Sequence, residues 1–527
     1  MESKIRNKKW FYTLCFIAVN VLDFIRDTQN GDIWSIAANA TGLVVMLIVA
    51  SGYSFKELRG AFTYVWSALC AGAVILVIAW EGTRFLGMYY WAVVVAVLNV
   101  WWMVLYGKLL IQKIFIQKSL QIHISRTVWL WIVMTVFMTF GVSGRIWPLW
   151  FLVMFGIFYL TRYEESERKD MLEGMINGTI ISFFLLQIYA YGFRPYDELR
   201  YKGAFSNCNI TALHYLLVYC MILFRLHILE QNKAKKGWKL FYLAGAGGLL
   251  GFMFLTMGRT AWVAAVVLTV LYGVFIIRGM WAKKWRAVMA RGAALVLSMV
   301  LLFPAVFGTV RWLPTILHYP VWYEGEYSAD KVHSYDPADT WKYIDMDEFL
   351  DAVFGRIKGT FQVKSPFTIR AYAAENGFYP EAEQLTGTEN MDAGLSIRLA
   401  IYKAYLRDLT WVGNPPTAGY YEIEGADYHS WHAQNVWIQI AYTFGIPAGM
   451  LFVVMTVLLL RRHYVGMKRN KNWLYAMIPL FISVVFFTYG TMELVWNIGQ
   501  AVLFLFFFVQ HPGFSEEQCK EEKVSCN

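Results

Sequence analysis

Residues 61–80 read AFTYVWSALCAGAVILVIAW, twenty residues without a single charge. About 20 apolar residues are what a helix needs to cross roughly 30 Å of hydrocarbon. Backbone groups in lipid must be satisfied within the segment, so such a run crosses as a helix. The pattern repeats to both sides. Spans are predicted near 10–25, 33–54, 61–80, 88–107, 127–141, 147–162, 173–193, 209–228, 239–257, 260–278, 291–310, 434–460, 472–490 and 493–510. The predicted fold class is an all-α polytopic membrane protein with about fourteen transmembrane helices. Composition agrees: of 527 residues, 58% are hydrophobic and only 16% charged, too apolar for an ordinary soluble chain. The segment from Trp10 to Ile25 follows a basic start but has no small-x-small cleavage site, so it reads as the first span.

Charge supplies the orientation. With the N-terminus inside, Lys4 to Lys9, Lys108 to Arg126, Lys233 to Lys239, Lys283 to Arg291 and Arg461 to Lys471 all become cytoplasmic, which satisfies the positive-inside bias. Both termini are then cytoplasmic. The net charge of +10 describes attraction to anionic lipid, with no nucleic-acid partner implied. Lys108 to Ile124 alternates apolar residues with Lys and Gln, the pattern either of an inner-leaflet amphipathic helix or of a solvated connector. Gly245, Gly247, Gly248 and Gly251 offer small faces for close helix packing. The six cysteines show neither a disulfide framework nor zinc spacing. No metal or other cofactor is expected.

The chain divides into an N-terminal transmembrane bundle (1–170), a bundle with arginine-bearing external loops (171–311), a large extracytoplasmic loop domain (312–433), C-terminal transmembrane helices (434–510) and a cytoplasmic tail (511–527). From Trp312 to Trp431 there are 18 acidic and 9 basic residues, opposite in sign to the cytoplasmic face. Within it, the acidic stretch Asp330 to Asp351 reads as solvated surface.

Arg194, Arg200 and Lys202 crowd a short external loop where topogenic bias disfavours them, and RYKGAFSNCN, Arg200 to Asn209, adds the amides of Asn207 and Asn209. Arg259 follows in the hairpin LTMGRTAW. Arginine suits a diphosphate because its planar fork donates several hydrogen bonds and stays charged. Each arginine alone reads equally as a side chain reaching lipid headgroups. Farther on, SIRLAIYKAYLRD, Ser396 to Asp408, reads as a helix with Arg398, Tyr402 and Tyr405 on one face. His429 and His432 then arrive at the mouth of the twelfth span, where a histidine can take a proton from a sugar hydroxyl.

The run HAQNVWIQIAYTFGIPAG, His432 to Gly449, resembles the signature of the O-antigen ligase and polymerase superfamily: histidine with asparagine, an apolar helix with an internal Gln, and a Gly-Ile-x-x-Gly turn. RYKGAFSNCN, LTMGRTAW and SIRLAIYKAYL resemble three further motifs of that family, in the same order. The sequence departs from the pattern at Gln434, where the family commonly has a second histidine, and at Gly258, where it has serine. The resemblance implies transfer of a polyprenyl-diphosphate-linked oligosaccharide to an acceptor glycan hydroxyl at the outer face of the bacterial cytoplasmic membrane, with membrane lipid and polysaccharide-assembly proteins as further partners. Polymerase is favoured over ligase because the second histidine is missing. His432, Arg259 and Arg398 are the implied catalytic residues, and Arg200, Lys202, Asn207, Asn209, His429, Gln434 and Asn435 the implied substrate contacts. Two rivals stand beside this reading: a transporter of lipid-linked sugar, and a polyprenyl-monophosphate-sugar glycosyltransferase that would use Asp27 and Asp32 in the first external loop.

Overall fold

The computed structural model describes residues 2–28, 33–51, 60–81, 90–116, 126–142, 158–161, 163–193, 200–280, 285–317, 346–362, 398, 401–415, 421–423, 428–430, 432–469, 473–493, 495, 499–511 and 514. Most of the expected span at 147–162, Arg194, Asp32, most of Asp330 to Asp351 and all of the tail but His511 and Phe514 lie outside these residues.

The helices, in chain order, are α1 (Glu2–Thr28), α2 (Ile33–Ser51), α3 (Ala61–Glu81), α4 (Tyr90–Ile111), α5 (Arg126–Phe140), α6 (Glu165–Phe193), α7 (Cys208–Gln231), α8 (Lys236–Leu255), α9 (Arg259–Met280), α10 (Trp285–Leu317), α11 (Met346–Gln362), α12 (Val436–Phe444), α13 (Ile446–Arg469), α14 (Trp473–Gly490) and α15 (Ala501–Phe508). Among the described residues, six of them, α3, α6, α7, α8, α10 and α13, are long and apolar enough to cross a membrane. A π-turn, Gln112–Ile116, continues α4 into the basic stretch. The fold is all-α as expected, with one short hairpin in which β1 (Tyr421–Ile423) and β2 (Tyr428–Ser430) pair antiparallel, Glu422 opposite His429.

The two extremes of helix environment come from similar sequences. Helix α7 is apolar on most of its surface and buries the residues from Thr211 to Ile228 except Arg225 among α6, α8, α9 and α14, so it is the axis of the bundle. Helix α3, equally apolar, leaves Leu69, Ile75 and Leu76 exposed, a surface that water would not tolerate and lipid would. The glycine face of α8 packs against α10 as expected: a Cβ on Gly247 would lie 2.4 Å from the Ser298 hydroxyl.

Polar contacts separate the two ends of the bundle. At one end Lys9 pairs with Glu173, Lys8 with Glu167, and Arg291 with Glu230 at 2.9 Å. At the other, the C-termini of α6, α8 and α14 meet the N-termini of α7, α9, α12 and α15, and the Tyr201 N–H donates to the Leu255 carbonyl at 3.0 Å.

Two predicted spans are not single helices. The stretch 434–460 breaks at Gly445 (φ +99°), because the segment around Trp411 crosses there; Ile446 N–H donates to Thr410 O and Asn414 N–H to Tyr442 O. Among the described residues of 493–510, α15 is the helix, about 12 Å long at ~1.5 Å per residue. Its first N–H, on Ala501, is capped by the Asp23 carboxylate at 3.0 Å, and its phenylalanines stack into the core, Phe506 on Phe486 at 4.1 Å. Irregular backbone at such depth is tolerated where protein surrounds it, and residues 491–493 use it to return a polar segment to the end of the bundle.

Candidate functional site

The turn before α7 is held from three directions. Tyr201 is fully buried, its hydroxyl accepting from Gln187 Nε2 at 2.9 Å. Gly203 adopts φ +59°, where a Cβ would also lie 2.8 Å from the Tyr215 hydroxyl. Asp27 accepts from both the N–H (2.9 Å) and the hydroxyl (2.8 Å) of Ser206. Asn207 then caps α7, its Oδ1 accepting from Asn209 N–H at 2.7 Å. Thus Asp27 works as a clasp for the turn.

From this turn Arg200 reaches two partners. Its Nε donates to the Thr256 carbonyl at 2.9 Å and its Nη2 to Asn209 Oδ1 at 2.5 Å. Thr256 belongs to the tight connection, with Met257 at φ +49°, that delivers Arg259 to the first position of α9. Arg200 and Arg259 therefore lie on facing turns.

Asn209 passes the chain onward: its Nδ2 donates to Glu493 Oε1 at 2.6 Å. The same carboxylate is 3.5 Å from Nη2 of Arg398, which comes from the loop helix, and Arg398 Nε donates to Gln434 Oε1 at 3.2 Å. A continuous polar chain, Arg200 to Asn209 to Glu493 to Arg398 to Gln434, thus joins four separated segments. Two arginines against one carboxylate leave it net positive. Burial pushes the Glu493 carboxyl up, while Arg398, Asn209 and Arg200 act in the opposite sense.

The elbow before α12 completes the arrangement. Gln434 sits at φ +48°, a left-handed backbone that non-glycine residues enter at a cost of roughly 1–2 kcal/mol. Its N–H donates to His432 Nδ1 at 3.1 Å, and its carbonyl accepts from the Tyr402 hydroxyl at 3.3 Å. Tyr402 also donates to the Thr491 carbonyl at 2.7 Å, docking the loop helix on the segment that carries Glu493. Asn435 caps α12, accepting from Trp437 and Ile438 N–H, both at 3.1 Å, while its amide donates to Thr491 O. The internal Gln439 turns back to accept from Ala433 N–H at 2.7 Å. Tyr405 is buried against Tyr442, so Arg398, Tyr402 and Tyr405 share a face as their spacing predicts.

His432 meets a constraint at this elbow. A backbone N–H only donates, so Nδ1 is an acceptor, and the neutral ring carries its proton on Nε2. Burial lowers its pKa and keeps the ring neutral.

Of the expected site residues, Arg200 and Asn209 are hydrogen-bonded to each other, as are Arg398 and Gln434, and Glu493 joins the two pairs, with Asn435 and His432 beside them. Lys202 enters through its carbonyl, which accepts from the Thr211 hydroxyl. Asn207 is exposed at its cap. His429 lies on β2, and its side chain is outside the description. The residue that sequence reading missed is Glu493. A signal existed, since a lone carboxylate in the apolar context TMELVW is a functional candidate by default.

No family model matches the chain, and no curated protein matches it.

Proposed function

We propose that the protein is a bacterial cytoplasmic-membrane polysaccharide polymerase of about fourteen spans, both termini cytoplasmic, with its loop domain and polar site on the outer face. It transfers a polyprenyl-diphosphate-linked oligosaccharide to a hydroxyl of an acceptor glycan. The observation that carries this reading is the convergence of Arg200 and Arg398 on one Asn209–Glu493 bridge, at the end of the bundle where α9 presents Arg259.

A diphosphate leaving group gathers negative charge as the glycosidic bond breaks, and pre-oriented guanidinium groups stabilise that charge without reorganising. Arg200 is preorganised by Thr256 and Asn209, and Arg398 by Gln434 and Glu493. The activated donor supplies the driving force, and the apolar helix surfaces suit its lipid chain. His432, through Nδ1, holds the Gln434 elbow against which the acceptor would lie.

The test is transfer by purified protein, with lipid-linked oligosaccharide extracted from the producing cells as donor, together with the length of surface polysaccharide after deletion of the gene. Lengthened product in vitro and shortened chains in the deletion strain are expected. Unchanged chain length with no transfer overturns the reading.

A further inference from the structure

The transfer reaction needs a group that takes the acceptor proton, and the constraint on His432 leaves that position open. Glu493 has the required properties. Its Oε1 receives the Asn209 amide at 2.6 Å and lies 3.5 Å from Nη2 of Arg398. Oε2 takes no hydrogen bond from a described residue, and the side chain is 22% exposed, enough to meet a substrate atom. Position supports the same role. Glu493 lies between the two arginines proposed to hold the diphosphate, and an acceptor hydroxyl must come close to that diphosphate to attack the carbon bonded to it.

We propose that Glu493 is the catalytic base of this site, receiving at Oε2 the proton of the acceptor sugar hydroxyl. The inference rests on the transfer reading. In the step, the acceptor oxygen forms a bond to the donor anomeric carbon as its O–H proton passes to Glu493. The bond from that carbon to the diphosphate oxygen breaks, and its electron pair leaves with polyprenyl diphosphate. Glu493 is then neutral and returns its proton to solvent. The arginines balance the diphosphate, while Asn209 holds Oε1 so that Oε2 faces the acceptor. His432 is a positioning residue in this scheme.

Among the described residues, the charged and titratable groups facing Glu493 are Arg398 and Tyr402 from the loop helix, Arg200 from the turn before α7, and Tyr489 from the end of α14. Burial raises the carboxyl from its ordinary value, so activity should rise with pH along an acidic limb as Glu493 ionises.

The experiment compares wild type, Glu493→Gln and Glu493→Asp in the purified full-length protein. It measures release of polyprenyl diphosphate from extracted lipid-linked oligosaccharide across pH, and binding of undecaprenyl diphosphate alone. Glutamine is isosteric and can still accept from Asn209, so E493Q should bind undecaprenyl diphosphate within a few-fold of wild type. It should lose about 10²–10⁴-fold in kcat, the range for a positioned base, and lose the acidic limb from any residual rate. E493D should fall between and keep the limb. Wild-type turnover by E493Q, or loss of undecaprenyl diphosphate binding that accounts for the whole defect, overturns the assignment. If wild-type protein neither transfers nor binds undecaprenyl diphosphate, the transfer reading fails, and this inference with it.

Discussion

The Nε of Arg398 donates to the Oε1 of Gln434 across 3.2 Å, tying the large loop to the elbow that opens α12. This gives the departure at position 434 a physical content. The glutamine is an acceptor for a guanidinium, and its own backbone, at φ +48°, turns its N–H onto His432 and its carbonyl toward Tyr402. One residue thus orients Arg398, Tyr402 and His432.

Replacing Gln434 by Leu should remove the Arg398 acceptor at nearly constant volume. A hydrogen bond to a charged group contributes about 1.5–3 kcal/mol, so a loss of about 10- to 100-fold in kcat/KM is expected. Gln434→His, which can accept at a ring nitrogen, should recover part of it. Steady-state kinetics of the two variants at equal insertion level checks this, and a fully active leucine variant would contradict the clamp.

His432→Asn separates positioning from base catalysis. Asparagine offers an oxygen to the Gln434 N–H in place of Nδ1, so activity should stay within about ten-fold of wild type, against a 10²–10⁴-fold loss if the imidazole were the base. His432→Leu should be worse than His432→Asn. The pH sense follows from the lowered pKa: the neutral ring's contribution to stability is full above the unfolded value near 6.5 and is lost as pH falls through the folded value. Protection of the Gln434 amide against hydrogen exchange, relative to the intrinsic rate at each pH, should therefore fall under acid.

Gly445→Ala should abolish folded protein. The position has φ +99° and ψ 158°, a region essentially confined to glycine, and a Cβ there would lie 2.4 Å from the Trp411 carbonyl oxygen. Strain of roughly 1–3 kcal/mol adds to overpacking of similar size. Gly72→Ala, where a Cβ meets nothing within 4 Å, is the control and should insert normally. Detergent-solubilised yield and Tm decide between them.

Asp27→Asn should have a modest effect on transfer, because the amide oxygen can still accept one hydrogen bond from Ser206. A residue acting as the acidic group of a monophosphate-sugar transferase would lose activity outright. The transfer rate of this variant, with and without chelator, distinguishes the two.

Reporters fused after residues 120, 235 and 465 should read as cytoplasmic and one near 340 as external, since the basic residues cluster at the first three. An internal reading at 340 would put the Arg398–Glu493 pair on the wrong side for this function.

Sequence alone decides what local composition decides. Runs such as 61–80 and 209–228 specify apolar helices because most of their residues prefer lipid or protein to water, and no distant partner is needed. The arginines were legible one by one at Arg200, Arg259 and Arg398, and so was the shared face of Arg398, Tyr402 and Tyr405, which follows from helical periodicity. Tertiary structure decides how these pieces meet. Glu493 opens an apolar stretch that reads as a fourteenth span, and only packing places Asp23 on the N-terminus of α15 and brings the carboxylate at 493 to Asn209 and Arg398. Likewise the break at Gly445 exists because the chain around Trp411 crosses at that point. Hydrophobicity is a property of a segment, whereas a hydrogen-bonded chain across four segments depends on distances that only the packed helices set.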